Sequence, residues 1–254
     1  MRGLIRILIK GVAVHKLQLR GHLLYLKGSK RTLSLAEAHN TRSIPIELEA
    51  FNHIDTSKTK LNCELVGLNG KSLENEVIRL IQGAGINPYS GRNKRSNKGF
   101  AIEWLFTVTP GFVCDFKDLY SRCLDWLRKL HPTAPIVHAV IHFDEADPHL
   151  HVITVPIDGN KLPASKMLGY KGVSQARLKG LYQTIASKYG LSPPVYLTGA
   201  AKKKASEIII KVCEDGPYRK ILGPLWEPVV LAIKARPEPF MNALKIPPDW
   251  YQAV

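Results

Sequence analysis

Apolar residues recur along this chain with two different periods, and each switch between them marks an element. Residues 3–26 alternate well enough for two short strands, with a break around Leu19 to Gly21. Ser34 followed three residues later by Glu37 has the pattern of a capping box. It predicts a short helix that carries His39 and Arg42 on one face and stops before Pro45. The run Leu61 to Val66 reads as a strand. Ser72 opens a second helix with Leu73, Val77, Leu80 and Ile81 along one stripe and Gly83 near its end. Asn87 to Gly99, with Pro88 and Gly91, is a loop. In the next strand Ile102, Trp104, Phe106 and Val108 face one way, while Glu103, Leu105, Thr107 and Thr109 face the other.

Phe116 to Leu130 returns to helical spacing, which makes Trp126 a packing residue rather than a platform for a stacked base. The β-branched run Ile136 to His142 and the stretch around Leu150 are strand-like, joined by the polar, proline-containing turn Asp144 to Pro148. A further turn over 155–160 leads to an amphipathic helix from Ser174 to Tyr189 that ends at Gly190. Pro193-Pro194 and the run Lys202 to Lys204 mark a boundary. Residues 1–200 are therefore expected to form one principal domain, and 201–254 a short helical appendage of one or two helices without a core of its own. Strands and helices in this order predict an α/β (α+β) fold of two layers, a central antiparallel sheet with flanking helices.

Charge changes the picture more than composition does. A hydrophobic content of 45% belongs to a globular chain, but 36 Lys and Arg against 21 Asp and Glu leave a formal charge of +15. That excess points to a polyanion, and nucleic acid is the commonest one. Arg92, Lys94, Arg95 and Lys98 in the loop are the foremost candidate DNA contacts, with Lys202, Lys203 and Lys204 behind them. The four cysteines are scattered with no C-x-x-C pair, so neither a disulfide framework nor a zinc knuckle is indicated and a reducing, cytoplasmic location is expected. The N-terminus is broken by charges and lacks the pattern of a signal peptide, and nothing approaches the ~18 apolar residues of a membrane span.

Candidate chemistry is concentrated in His142-Phe-Asp-Glu-Ala-Asp-Pro-His-Leu-His151, which holds three imidazoles and three carboxylates in ten residues. His149 and His151, two apart on a strand, share a face, and antiparallel pairing brings His142 opposite them. Three histidines would hold a divalent ion and leave positions open, as catalytic metal sites do. Glu145 is available as a fourth ligand or as a base.

These residues carry a resemblance to the MobV, or Pre/Mob, family of plasmid mobilisation relaxases within the HUH endonuclease group. His39-Asn-Thr-Arg42 resembles that family's H-N-x-R, and Ile54 to Asn62 its I-(D/N)-x-x-(R/K)-(S/T)-x-L-N segment. Ala101 to Pro110 is similar to its strand ending in T-x-(S/T)-P. His142 to His151 with Val155-Pro156 is similar to its H-x-D-E-x-x-P-H-x-H…V-P signature, which is the specific part of the match. The likeness runs from about Leu23 to Pro194; a leading segment and a short tail depart from it.

The resemblance implies site- and strand-specific nicking and rejoining of DNA at an origin of transfer through a covalent protein–DNA link. It implies Mn2+ or Mg2+ held by His142, His149 and His151, with His39 as nucleophile. It further implies DNA as partner, single-stranded near the nick and a duplex hairpin beside it, together with transfer-machinery proteins. Arg42 would then bind the scissile phosphate as a fork donor, Glu145 would orient or deprotonate His39 or ligate the metal, and Asp144 would hold a ligand imidazole by its other N–H. Two alternatives stay open. One is a rolling-circle replication initiator using Tyr182 or Tyr189, whose side chains also fit the packed face of their helix; the other is a metal-stabilised origin-binding regulator that does not cut. His138 shares the strand face of His142 and reads as a neighbour, in the core or facing DNA.

Overall fold

A computed structural model describes residues 15–26, 31–43, 54–89, 99–192, 197–244 and 246, and the chain divides into two compact units. His15–Pro193 forms one, and the chain from Pro194 onward belongs to the other.

The first unit is built on five strands: β1 (Leu17–Leu24), β2 (Cys63–Val66), β3 (Ala101–Val108), β4 (Ile136–His142) and β5 (His149–Thr154). Their order in the sheet is β1-β3-β5-β4-β2, and each neighbouring pair is antiparallel. The strands richest in chemistry, β4 and β5, are thus interior to the sheet, joined by the short polar turn that the sequence predicts. The alternation expected in β3 is borne out: Ile102, Trp104, Phe106 and Val108 are all buried. The expected break at Leu19 to Gly21 is absent. β1 pairs with β3 without interruption, and Gly21 serves close packing instead: a Cβ there would press on Leu168 and stand 3.0 Å from the Trp104 ring. The rest of the expected N-terminal strand lies outside the described residues.

Helices flank this sheet. On one face α3 (Phe116–Leu130) and a helix at Lys171–Thr184 pack Leu119, Tyr120, Cys123, Leu124, Leu127 and Leu181 against Trp104, Phe106, Ile141, Leu150 and Val152. On the other face α1 (Leu33–Thr41) and α2 (Leu73–Gly83) bury Leu33, Ala36, Leu73, Val77 and Ile81 with Leu24, Ala101 and Ile153. Sequence and caps explain these helices. Asp115 accepts from the Asp118 amide to start α3, and Ser72 accepts from the Asn75 amide to start α2. The expected capping box at Ser34 and Glu37 does not form: Thr32 caps α1 by accepting from the Leu35 amide, which frees the Glu37 carboxylate to cap α2 instead, through the Leu73 amide. A short α4 (Ala164–Leu168) precedes α5 (Lys171–Thr184), and the expected continuous helix to Tyr189 is divided, its last turn (Ala186–Tyr189) being 3-10 and closing on Gly190 at φ 68°.

The second unit corrects the expectation of a coreless appendage. Its helices α6 (Gly199–Asp215), α7 (Tyr218–Leu222), α8 (Trp226–Ala235) and α9 (Glu238–Leu244) enclose Ala205, Ile209, Cys213, Trp226, Val230, Ile233 and Met241. The prolines between Pro217 and Pro239 fall at helix starts and between helices, where they do not interrupt hydrogen bonding, so short helices close a cluster that periodicity alone does not reveal. None of the helices among the described residues is long and apolar enough to cross a membrane.

Candidate metal centre

The β4–β5 register sets His142 directly across from His149 and Val140 across from His151, so three imidazoles share one sheet face, the face that also carries α1. Their ring centroids lie 4.9–5.2 Å apart. His39, from the last turn of α1, joins them with its ring 5.1 Å from those of His142 and His151. One nitrogen from each of the four imidazoles lies within 4.8 Å of the others, a spacing that one ion could bridge.

Hydrogen bonding fixes which nitrogens face inward. His149 Nδ1 meets the Asp147 carbonyl at 2.9 Å and His151 Nδ1 meets Glu103 Oε1 at 2.9 Å. Both partners can only accept, so these Nδ1 atoms carry the proton and each Nε2 keeps a lone pair. His142 is reversed: its Nε2 is directed at the Asn40 carbonyl at 3.4 Å, and its buried Nδ1 has no hydrogen-bond partner. An orphaned buried nitrogen facing a carboxylate 3.6 Å away, Glu145 Oε1, fits a cation between them.

The electrostatics agree. Burial, then the neighbouring His151, holds His149 down at about 4; burial, then His151, His142 and Arg42, holds His39 at about 3; burial lowers His142 as well. Burial works to raise Glu145, but the close approach of His142 and the neighbours His149, Arg42 and His39 outweigh it and keep its carboxyl well below the usual range. At neutral pH the site therefore presents neutral imidazoles at His39, His142 and His149 and an ionised carboxylate at Glu145, a donor set ready for a divalent cation.

Arg42 is placed differently from what the sequence suggests. It caps α1 in the left-handed region at φ 56°, and its guanidinium turns inward. Nε donates to Asp144 Oδ2 at 2.9 Å, Nη2 to Asp144 Oδ1 at 2.6 Å and to Glu145 Oε1 at 2.8 Å, and Nη1 to the His39 carbonyl at 2.8 Å. The fork expected on phosphate is occupied by carboxylates, so Arg42 ties the His39 end of α1 to the β4–β5 turn. Asp144 likewise does not hold an imidazole: besides Arg42 it accepts from Thr59 at 2.9 Å and Asn62 at 2.8 Å, while Asn62 accepts from the Phe143 amide at 2.7 Å. Thr59, Asn62 and Glu103 are the hydrogen-bonding neighbours of the cluster that sequence reasoning did not single out. For the first two the signal lay in the Ile54 to Asn62 segment; for Glu103 it was a carboxylate on an otherwise apolar strand, on the histidine side of the alternation.

Tyr182 and Tyr189 pack against the cluster behind the sheet, on the face opposite the histidines, and the Tyr189 hydroxyl donates to Asp118. His138 is buried in the core at 1% exposure. Arg92, Lys94, Arg95 and Lys98 lie outside the described residues; Lys202, Lys203 and Lys204 lie on α6 in the second unit.

An antiparallel sheet with flanking helices that gathers histidines at its central hairpin is the fold that this chain shares with a solved relaxase domain. The chain is similar to the MobM relaxase domain bound to plasmid pMV158 oriT DNA in manganese-bound crystal structures. The TM-score is 0.57 at 21% identity, covering 75% of this chain and 98% of that one, and 0.55 at 20% identity in a second such structure, covering 73% and 96%. Residues 25–188 match the family described as plasmid recombination enzyme, and the chain belongs to that family. Among curated relatives it is 30% identical over 154 residues to plasmid recombination enzyme type 3 of Staphylococcus aureus, and 27% identical over 124 residues to the plasmid recombination enzyme of Bacillus thuringiensis. These matches cover 56% and 46% of this chain but 36% and 27% of those proteins, so the chain spans about a third of the length of the relatives it matches.

Proposed function

We propose that this protein nicks and rejoins one DNA strand at an origin of transfer by transesterification, with His39 as the nucleophile. The observation that carries the reading is the convergence of His39, from a helix, on three histidines of the central hairpin whose inward nitrogens are unprotonated. His142, His149 and His151 would hold Mn2+ or Mg2+, which supplies Lewis-acid polarisation of the scissile phosphate when bound. The manganese and oriT DNA of the MobM structures support that choice of metal and substrate.

The chain's own residues do the rest. His39 is neutral at pH 7, so a lone pair is available to attack phosphorus while the P–O3′ bond breaks and the 3′ oxygen leaves, taking a proton from water. A phosphohistidine carrying the 5′ end is formed, and the reverse attack by a 3′ hydroxyl reseals the strand. Glu145, whose Oε1 is 3.6 Å from His39 Nε2, steadies the positive charge that the ring acquires, and the ring's proton passes to water. Arg42 acts through position, holding Glu145 and the His39 carbonyl together. The reaction is assigned to residues 1–200, with 201–254 as an appendage, and to the cytoplasm, where plasmid DNA lies. What supports the assignment is that all four histidines of the cluster lie within the compact unit His15–Pro193. The loop cations Arg92, Lys94, Arg95 and Lys98 are proposed as DNA contacts on charge alone.

Mass spectrometry of the DNA-linked peptide, after incubation with a supercoiled origin plasmid and Mn2+, tests the reading. The expected adduct is on His39, absent in His39→Ala and retained in Tyr182→Phe and Tyr189→Phe. An adduct on either tyrosine overturns it. The four-imidazole cluster also supports a second reading, a closed site that stabilises a DNA-binding regulator; that protein would bind the plasmid and leave it supercoiled.

A further inference from the structure

We propose that the outer face of α8 in the second unit is a docking surface for a second copy of this chain, which packs there antiparallel about a two-fold axis beside Leu231. The inference is independent of the reaction at the histidines. A helix that is apolar all round is ordinarily buried all round. Only Glu227 and Lys234 are charged among the ten residues of α8, yet only one side of the helix is covered. Trp226, Val230 and Ile233 enter the core of the unit, while Pro228, Leu231, Ala232 and Ala235, spaced so as to share a helical face, are exposed. Leu231 is 67% exposed, and Ile221 and Leu225, just ahead of it in the chain, are exposed as well. The exposed large apolar side chains of the second unit, among the described residues, all fall in this stretch.

The charges identify the occupant. Glu227 and Lys234 are exposed on the same flank of the apolar stripe, about 10 Å apart along the axis, and neither has an ion-pair partner among the described residues. When two such helices pack face to face and antiparallel, a two-fold axis brings equal flanks together with their directions reversed. Glu227 of each copy then meets Lys234 of the other, and Leu231 meets its own equivalent near the axis. Parallel packing brings unequal flanks together and sets both charges against the Ala232 side, where nothing answers them. The small side chains of Ala232 and Ala235 let the two backbones approach. The contact runs along about 15 Å of helix, which places it among small, reversible interfaces rather than obligate ones.

The test is sedimentation velocity of the full chain without DNA, over a concentration series reaching on the order of hundreds of micromolar. A reversible monomer–dimer equilibrium is expected. Glu227→Lys or Lys234→Glu alone turns both attractions into repulsions and should weaken the dimer by about 10-fold, while the two together exchange the charges and should restore it to within about threefold of wild type. Leu231→Asp, at an exposed position that leaves the core of the unit intact, should abolish the dimer, with circular dichroism showing that the fold is kept. A chain that stays monomeric throughout leaves this face to some other occupant and overturns the proposal. So does a dimer that Leu231→Asp leaves unchanged, or a double exchange as weak as either single one.

Discussion

Replacing Asp144 with Asn tests the idea that one buried carboxylate holds the site together. The substitution keeps shape and removes charge. In the wild type Oδ1 accepts from Arg42 Nη2, while Oδ2 accepts from Arg42 Nε, Thr59 and Asn62. The amide nitrogen does least harm in the Oδ1 position, where it opposes one donor instead of three. One charge-assisted bond is then lost, worth about 1.5–3 kcal/mol, and Arg42 keeps only Glu145 as a counter-charge. The acidity of Asp144 gives a similar figure. Burial acts to raise it, but hydrogen bonds from Arg42, Asn62 and Thr59 bring it from 3.8 down to about 2, which corresponds to about 2 kcal/mol at neutral pH. The side chain is fully shielded, so solvent screening removes little of this. For a unit of this size 2–3 kcal/mol lowers the melting temperature by about 4–12 °C. Circular dichroism melts at pH 7 check this. Because the folded-state value is the depressed one, the stabilisation is complete above pH 3.8 and disappears as pH falls towards 2, so the two proteins should converge in acid. A variant melting within about 2 °C of wild type at pH 7 would refute the clamp.

Gly21→Ala should destabilise the first unit by about 1–3 kcal/mol, since the new methyl would meet Leu168 and stand 3.0 Å from the Trp104 ring; a denaturant titration reads the loss. His131 and His138, both held at about 4 by burial, are neutral when folded but protonate near 6.5 when unfolded. Stability of the metal-free protein should therefore be full above pH 6.5 and fall as pH drops from 6.5 towards 4; melts that are flat across that range would contradict the assignment.

Much of this was legible in the sequence because it depends on local period. The alternation of β3, the helical spacing of α3 and the turn between β4 and β5 each follow from neighbours a few residues apart, and the hairpin brings His142 to His149 without any long-range information. What stayed hidden depends on distant partners. Arg42 looks like a phosphate fork until Asp144, 102 residues away, is seen to fill it. Glu37 looks like the cap of its own helix until the Leu73 amide claims it. The core of the second unit forms where the long α6 meets the shorter α8 and α9, whose apolar residues are too few, taken singly, to announce a cluster.

The two strands that carry the histidines have a hydrogen-bonded neighbour on either side, and slipping one of them by a single residue would turn its imidazoles into the packed layer behind. Their amides should consequently exchange with deuterium only when the whole unit opens, while the outer strands fray first. The proposed cation cradle would thereby be as durable as the fold, and heating should abolish metal capture in the same transition that melts the sheet.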